Sequence, residues 1–363
     1  MLTELLVKKD AIADVTMRER PLPDLADGEV LVEVESYGLT ANNVTYAVTG
    51  DMIGYWRFYP VEGAEGRGIV PVWGYGKVVS SKTDQLAEGE RIYGFFPMAT
   101  HVVLQPRRKT GAVKCMAPHR ADLPAVYNNY QIVAEEPEIL QGKEDARQVL
   151  FPLFGTSYVI YDWLIDNDFF GAQQIVVGSA SSKTGFGVGA VLNQHDGDRP
   201  KTIGLTSPRN LDFVGRLKAF DDQTTYDHIT SLPQVPTAFV DMSGNADVIT
   251  ALHNHIGDNV VVSSVVGATH WEAPRQSEPL PGAKPTMFFA PAQIAKREKD
   301  FGPGVVMGRA AVAWAKAAKT LDGLFEYDHL QGPDAASTAW RDSVEGKVNP
   351  SRGLVVQFAA ASS

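Results

Sequence analysis

Apolar side chains follow a two-residue period in much of the first 150 residues of the chain. In residues 29–35, charged and apolar positions alternate, as they do in a strand that buries one face. Glycine-bounded apolar stretches at 71–79 and 89–94 predict further short strands. Many short strands joined by turns indicate a small, barrel-like β domain.

From residue 154 onward the pattern changes to apolar runs separated by helical segments. The β-branched run at 175–177 is typical of a strand that is covered on both faces. Further strands are predicted at 201–206, 237–242, 259–266 and 285–289. Strands separated by helices predict a doubly wound parallel sheet, whose ligands bind beyond the carboxyl ends of the strands. We therefore expect an α/β protein with two domains.

The first strand of this predicted sheet ends in a turn of small side chains that opens a helix. Free backbone N–H groups at the beginning of a helix favour an anion, and Lys183 adds a positive charge. Only Gly185 matches the glycines of the dinucleotide-binding fingerprint, so an ordinary strand-to-helix turn is the alternative. The residues predicted to bind a nucleotide here are Ser179, Ala180, Ser181, Ser182, Lys183, Thr184 and Gly185.

Residues after the other strands complete the predicted cofactor site. Ser243 follows the third strand, and Val266 and Gly267 end the fourth. The second strand is followed by Ser207 and Arg209, with no carboxylate between them. NAD-specific sites place an acidic residue here to bind the ribose hydroxyls, whereas a guanidinium suits a 2′-phosphate. We therefore predict NADPH as the cofactor; a helix-capping turn with a solvated arginine is the alternative.

Composition argues against several classes of protein. The formal net charge of −10 argues against a nucleic-acid surface, where a basic patch is the expected footprint. No apolar stretch approaches the roughly 20 residues that a membrane span requires, and the first residues lack the apolar core of a signal peptide. We therefore expect a cytoplasmic protein. Cys115 is the only cysteine, which excludes an internal disulfide and a multi-cysteine zinc site.

Four stretches, in order, resemble one superfamily across most of the chain. They are DGEVLVEVESYGLTANNVTYAVTGD, WGYGKVVSSKTDQLAEGERIYGF, FGTSYVIYDWL leading into IVVGSASSKTGFGVG, and TIGLTSPRN. Together they resemble the zinc-free quinone and enoyl reductases of the medium-chain dehydrogenase/reductase superfamily, with SASSKTG as a variant nucleotide loop. The resemblance implies a GroES-like domain at residues 1–150, rejoined by about 325–363, and a Rossmann domain at 151–324. It also implies a nicotinamide cofactor, no zinc and a homodimer.

The resemblance also locates candidate catalytic groups in the segment after Gly38. Zinc-free relatives carry an amide or a carboxylate and one or more tyrosines there, and this chain has Asn42, Asn43 and Tyr46. A tyrosine can donate a proton to an enolate or alkoxide, and an asparagine amide can orient a substrate oxygen. Alternative proton donors are Tyr55 and Tyr59.

Two tryptophans are candidates for the substrate pocket. Trp56 belongs to an aromatic cluster after that segment, and Trp271 follows the fourth strand of the sheet. Packing within a domain is the alternative for both. The acidic residues at 135, 136 and 138 indicate a solvated face.

The sequence thus predicts a zinc-independent, NADPH-dependent reductase that transfers hydride to a quinone, an enone or an enoyl thioester. A ketone reductase or alcohol dehydrogenase working without metal is the nearest alternative. A rival from another class is a non-catalytic sensor that keeps the fold and binds a nucleotide, because the glycine pattern is incomplete.

Overall fold

The computed structural model describes residues 1–267 and 279–358. Within these ranges the chain forms two compact units. The first, here called the β-rich unit, contains Met1–Val149 and the chain from Tyr327 onward; the second, the parallel-sheet unit, is Leu150–Glu326. No helix in the described ranges is long and apolar enough to cross a membrane.

Short, mostly antiparallel strands make up the β-rich unit. Its strands before residue 150 are β1 Leu2–Lys8, β2 Ala11–Arg20, β3 Val30–Leu39, β4 Arg67–Gly68, β5 Pro71–Ser81, β6 Arg91–Pro97, β7 His101–Leu104, β8 Pro106–Lys109, β9 Ala112–Cys115 and β10 Asn129–Ile132. Its helices in the same stretch are α1 Ala41–Val48, α2 Gly50–Ile53 and α3 Glu144–Val149. The alternation that predicts β3 reflects its burial, because Val32 and Val34 are fully buried and Glu33 between them is partly exposed.

Strands and helices alternate in the parallel-sheet unit. Its strands are β11 Gln174–Gly178, β12 Lys201–Thr206, β13 Asp222–Thr225, β14 Thr237–Asp241, β15 Val260–Val265 and β16 Thr286–Met287. Its helices are α4 Phe151–Asp166, α5 Lys183–Leu192, α6 Leu211–Leu217, α7 Ala246–Ile256, α8 Ala290–Phe301 and α9 Val305–Thr320.

These strands form one parallel sheet in the order β13-β12-β11-β14-β15-β16. This is the 3-2-1-4-5-6 order of a doubly wound dinucleotide-binding sheet. Strand β11 lies at its centre, and Ile175, Val176 and Val177 are fully buried, as their β-branched run predicts. The order reverses between β11 and β14, so the carboxyl end of β11 is the expected ligand position.

The edges of this sheet differ from the strands expected from the sequence. Strand β13, with the sequence DQTT, is not predicted at all, and β16 covers only Thr286 and Met287 of the predicted 285–289. Both strands lie at an edge of the sheet. Edge strands are less covered by neighbours, and therefore they do not need the apolar run by which a central strand is recognised.

The end of the described chain returns to the β-rich unit. It consists of β17 Glu326–Gln331, α10 Gly332–Val344 and β18 Arg352–Gln357. Strand β18 pairs antiparallel with β3 and places Val355 opposite Gly38. The larger sheet of the unit has the order β17-β18-β3-β5-β6-β10-β9-β8, with β7 also on β3. The fully buried Trp340 donates its indole N–H to the carbonyl of Ile12 at 2.6 Å.

The prediction of a solvated acidic face is wrong for Glu136. This residue is 7% exposed, and its carboxylate lies 2.6 Å from the guanidinium of Arg147, which is 1% exposed. Burial raises the pKa of Glu136, and Arg147 acts in the opposite direction. A carboxylate can be buried where a cation neutralises it, and that cation lies 11 residues further along the chain.

Candidate active site

The turn after β11 folds tightly over the carboxyl end of the sheet. Ser179 has a positive φ of 54°, an uncommon conformation for a residue with a side chain. The backbone N–H of Ala180 donates to the carbonyl of Leu205 at 3.0 Å, and that of Ser182 donates to the carbonyl of Ser179 at 2.8 Å. The turn is thereby fixed to β12 and to itself.

Helix α5 begins directly after this turn, with Ser182 as its N-cap. The Ser182 hydroxyl accepts a hydrogen bond from the backbone N–H of Gly185 at 3.0 Å. A Cβ atom at position 185 would lie 2.6 Å from the carbonyl oxygen of Ser179, so only glycine fits without a shift of the turn. The N-cap provides an acceptor for the Gly185 N–H. The N–H groups of Lys183 and Thr184 lie in the first turn of the helix, where N–H groups have no acceptor within the helix.

Ser181 connects the turn to the end of the second strand. Its buried hydroxyl oxygen accepts hydrogen bonds from the Thr206 hydroxyl at 3.3 Å and from the Asn210 amide at 3.1 Å. Ser181 therefore holds the predicted diphosphate loop and the residues after β12 in one network. Asn210 is not among the residues predicted from the sequence.

Lys183 brings a titratable cation to the beginning of α5. Its side chain is partly buried, and its amine lies 5.8 Å from the centroid of the Phe325 ring. Burial lowers the pKa of this amine to about 8, because desolvation disfavours the charged form. An anion bound at the turn would favour the protonated amine.

Ser207 and Arg209 follow β12 as the sequence predicts. The Ser207 hydroxyl oxygen is buried and has no hydrogen-bond partner among the residues that the structure describes. Arg209 is exposed in the 3-10 helix Pro208–Asn210, and the described part of the chain offers it no ion pair. A buried hydroxyl without a partner is costly in a native protein, so the pair has capacity for a ligand.

A buried carboxylate that was not predicted from the sequence lies at the end of β14, beside the predicted cofactor residues Ser243 and Val266. A Cβ atom at Gly267 would lie 2.1 Å from the carbonyl oxygen of Met242. Asp241, the last residue of β14, is fully buried and accepts hydrogen bonds from Ser243 N–H at 3.2 Å and Gly244 N–H at 2.6 Å. The Val266 N–H donates to the Asp241 carbonyl at 2.8 Å. The available signal was a lone carboxylate at the end of an otherwise largely apolar strand, two residues before Ser243-Gly244. Trp271, predicted to contact substrate, lies outside the described residues.

In the β-rich unit, the candidate amides lie at the beginning of α1 and differ in their contacts. The Asn43 oxygen accepts from the Thr40 N–H at 2.8 Å, and its amide nitrogen donates to the carbonyl of Pro71 at 3.0 Å. Asn43 thus forms a capping box and holds the helix against β5. Asn42 is partly exposed, and its amide hydrogen bonds to the Tyr46 oxygen.

Tyr46 is the candidate tyrosine whose oxygen accepts a hydrogen bond from an indole N–H. Its hydroxyl oxygen accepts a hydrogen bond from the Trp73 indole N–H at 3.3 Å. The centroids of the Tyr46 and Tyr55 rings are 4.4 Å apart. Burial raises the pKa of Tyr46 well above its usual range, while the hydrogen bonds from Trp73 and Asn42 lower it. Donors of this kind favour the phenolate form, which is what a proton donor becomes.

Tyr55 contacts a second tyrosine that the sequence reasoning missed. The hydroxyls of Tyr55 and Tyr127 lie 2.9 Å apart, and Tyr127 also hydrogen bonds to Tyr46. The structure therefore brings three phenols together in one buried cluster. Nothing in the sequence around residue 127 distinguishes its tyrosine from an ordinary packing residue.

Tyr59 and Trp56 lie in other surroundings. The Tyr59 hydroxyl donates to the backbone carbonyl of Phe95, a contact that holds its loop to β6. The buried Trp56 ring packs where Cβ atoms at Gly50 and Gly68 would clash with it, and Trp56 is one of the residues that line a pocket. The described residues contain no group of three histidine, cysteine or acidic side chains that could hold a metal ion.

The chain belongs to the family described as "Protein of unknown function (DUF2855)", whose model matches residues 37–349. No curated protein matches the sequence. Among solved structures, the chain is similar to CurA from Vibrio vulnificus, with a TM-score of 0.64, 14% identity and 100% of both chains covered. One structure of that protein is a complex with NADPH.

A second similar structure is a mutant enoyl thioester reductase from Candida tropicalis, with a TM-score of 0.57, 11% identity and 98% of this chain and 99% of the other covered. A third is the YhdH oxidoreductase from Salmonella enterica in complex with NADP, with a TM-score of 0.54, 13% identity and 98% and 100% covered. These likenesses confirm the predicted fold class, a GroES-like β-rich domain and a Rossmann domain.

Proposed function

We propose that the protein is a zinc-independent, NADPH-dependent reductase of an activated C=C or C=O compound. It would form a branch of the medium-chain dehydrogenase/reductase superfamily with a variant nucleotide loop. The observation that carries the proposal is the arrangement at the carboxyl ends of β11 and β12. A tight turn opens a helix there, beside a buried hydroxyl and an exposed guanidinium that have no partners among the described residues.

The contacts of Ser207 and Arg209 support NADPH over NADH. No acidic residue follows β12 before Asp212, which lies in the first turn of α6. A carboxylate at this position would accept from ribose hydroxyls, and its absence removes the usual preference for NADH. A 2′-phosphate can accept hydrogen bonds from the Ser207 hydroxyl and from the Arg209 guanidinium. We therefore assign these two side chains to the 2′-phosphate.

The turn Ser179–Ser182 and the beginning of α5 fit the diphosphate. The close contact at Gly185 lets the beginning of α5 pack against the turn, as the third glycine of the fingerprint does. Lys183 contributes a cation, and Ser181 holds the loop at a fixed distance from Ser207 through Asn210 and Thr206. When bound, NADPH supplies a hydride to the electrophilic carbon of the substrate.

Tyr46 is the proton donor in this proposal. Its phenolic proton passes to the substrate oxygen or to the carbon beside the acceptor carbon, which completes a two-electron reduction. The remaining phenolate is stabilised by the Trp73 indole N–H and the Asn42 amide. Tyr127 hydrogen bonds to both Tyr46 and Tyr55 and orients them. The substrate class is a quinone, an enone or an enoyl thioester.

The cofactor assignment is tested by titrating the protein with NADPH and NADH and following nicotinamide fluorescence. We expect Arg209→Ala to weaken NADPH about tenfold, or about 1.4 kcal/mol, and to leave NADH unchanged. Arg216→Ala is the matched control, because Arg216 is an exposed arginine in α6. Equal affinities of NADPH for the wild-type and Arg209→Ala proteins would contradict the assignment.

The reaction is tested with a panel of enones, quinones and enoyl thioesters, each paired with its saturated analogue. Oxidation of NADPH by the unsaturated compound alone identifies C=C reduction, whereas oxidation by the saturated ketone as well identifies carbonyl reduction. Tight NADPH binding without oxidation by any compound would instead favour the nucleotide sensor.

A further inference from the structure

The β-rich unit contains a pocket whose polar side chains are mostly basic. It has a volume of about 380 Å³ and is lined by Lys9, Arg57, Arg67 and His119, with Trp56 as its aromatic wall. None of the described residues that line it is acidic. This is unexpected in a chain whose formal net charge is −10, and it marks a local concentration of positive charge.

The two arginines of the pocket have carboxylate partners outside it. Arg57 contacts Asp122 at 2.7 Å, and Arg67 contacts Asp14 at 3.0 Å. The side chains of Arg57 and Asp122 are both more than half exposed. Ion pairs of this kind contribute about 1 kcal/mol or less, so a ligand anion can compete with the carboxylate of Asp122 for Arg57.

Lys9 has no such partner. Its ammonium lies 5.7 Å from the centroid of the Trp56 ring, and no carboxylate in the described ranges pairs with it. The preceding residue, Lys8, forms an ion pair with Asp10 at 3.3 Å. The two adjacent lysines therefore differ in their surroundings: Lys8 is paired with a carboxylate, whereas Lys9 lines the pocket.

Arg120 adds a buried positive charge beside the pocket. It is 2% exposed, and its guanidinium donates only to neutral acceptors, the carbonyl of Phe58 at 3.2 Å and the hydroxyl of Tyr130 at 3.0 Å. No carboxylate pairs with it in the described part of the chain. His119 contacts the same Phe58 carbonyl at 3.3 Å. Buried charges are rarely left without a counter-charge, and their fields are screened little by solvent.

We propose that this pocket binds a phosphate group, either as free phosphate or as the phosphomonoester of a small molecule. Lysine binds phosphate as a point charge, and arginine binds it through a planar fork of donors. Lys9, Arg57 and Arg67 supply these groups from three separate segments of the chain. Trp56, which lines the same pocket, would contact the organic part of a phosphomonoester. The proposal goes beyond the reductase function and does not depend on it.

The test is isothermal titration calorimetry of the whole protein with inorganic phosphate and with phenyl phosphate. We expect Lys9→Ala to weaken both about tenfold, which is the loss of one charge-assisted hydrogen bond. Lys8→Ala is the matched control and should change either affinity less than about twofold, because its charge is paired with Asp10. Both lysines are at the surface, and the thermal unfolding midpoint of each variant checks that it is folded.

The same titrations on Arg209→Ala separate this pocket from the proposed cofactor site. Binding that persists in Arg209→Ala and weakens in Lys9→Ala supports the pocket whether or not the protein binds NADPH. Tighter binding of phenyl phosphate than of phosphate identifies a phosphomonoester, and equal affinities identify free phosphate. Absence of saturable binding, or binding that responds to Arg209→Ala alone, overturns the proposal.

Discussion

The cluster around Tyr46 and the proposed cofactor site after β11 and β12 differ in whether their polar atoms already have hydrogen-bond partners. In the β-rich unit, the Tyr46 oxygen already accepts hydrogen bonds from Trp73 and Asn42, and its hydroxyl donates to Tyr127. In the parallel-sheet unit, the Ser207 hydroxyl has no partner among the described residues and Arg209 faces solvent. A group that is fixed before substrate arrives is suited to catalysis, whereas polar groups left open are suited to binding an anion. The comparison predicts that substitutions in the first region change turnover and those in the second change affinity.

The largest effect is expected for Tyr46→Phe. Removing a general acid costs about a hundredfold or more in turnover, and NADPH affinity should be unchanged because the ring stays in place. The measurement is the rate of NADPH oxidation with the best substrate of the panel, together with the nicotinamide-fluorescence titration.

Tyr59→Phe is the matched control for this substitution. Tyr59 donates to a backbone carbonyl that also accepts from Tyr130 at 2.6 Å, so its loss should cost about 1 kcal/mol of folding free energy and leave turnover intact. If Tyr46→Phe and Tyr59→Phe lose turnover equally, the hydroxyl of Tyr46 is not the proton donor.

The second effect is expected at Gly185. A Cβ atom there would meet the carbonyl oxygen of Ser179 at 2.6 Å and the Ser182 hydroxyl at 2.9 Å. Overpacking of this kind costs about 1 to 3 kcal/mol, and the turn must shift to relieve it. Gly185→Ala should therefore weaken NADPH about tenfold or more, as measured by fluorescence titration.

Gly308 provides the control for the glycine substitution, because it lies in α9 and has nothing near the position of a Cβ atom. Gly308→Ala should stabilise the protein by up to about 1 kcal/mol and leave NADPH affinity unchanged. Unchanged affinity in Gly185→Ala would mean that the turn does not hold the diphosphate.

The smallest effect is a pH dependence that comes from Lys183. Its pKa in the folded protein is about 8, below its usual value of 10.5. NADPH affinity should fall about threefold to tenfold as the pH rises through 8, because the amine loses its charge. The stability of the free protein should change in the opposite sense. Between pH 8 and 10.5 the unfolded chain binds more protons at this site, so stability rises with pH.

Lys183→Met, which keeps the chain length without the amine, should remove both pH dependences while Arg209 retains its charge throughout. An NADPH affinity that falls equally in wild type and in Lys183→Met would assign the titration to another group.

The fold class could be predicted from the sequence because the burial of a strand determines the order of apolar and polar residues along it. Strand β11 is covered on both faces and needs an unbroken β-branched run, whereas β3 alternates because its faces differ in exposure. The exposed edge strand β16 left a weaker signal, and β13 left none. Glu136 was misread because its partner Arg147 is a property of the folded chain and cannot be read from local charge.

The candidate site could be predicted only where its residues directly follow a predicted strand in the sequence. The turn at Ser179–Gly185 and the pair Ser207 and Arg209 follow strands directly, so their positions could be read along the chain. The roles of Asn42 and Asn43 could not be separated, because the difference lies in a contact of Asn43 with Pro71. Tyr127 was missed for the same reason, since Tyr55 lies 72 residues before it.

The return of β18 to β3 has a consequence for the order in which the protein folds. The parallel-sheet unit is one continuous stretch, but the β-rich unit is interrupted by it. The hydrogen bond from Trp340 to Ile12 joins residues 328 positions apart. Contacts of such long range are slow to form because closing a large loop costs entropy. During synthesis, the β-rich unit can therefore be completed only after the whole parallel-sheet unit has been made.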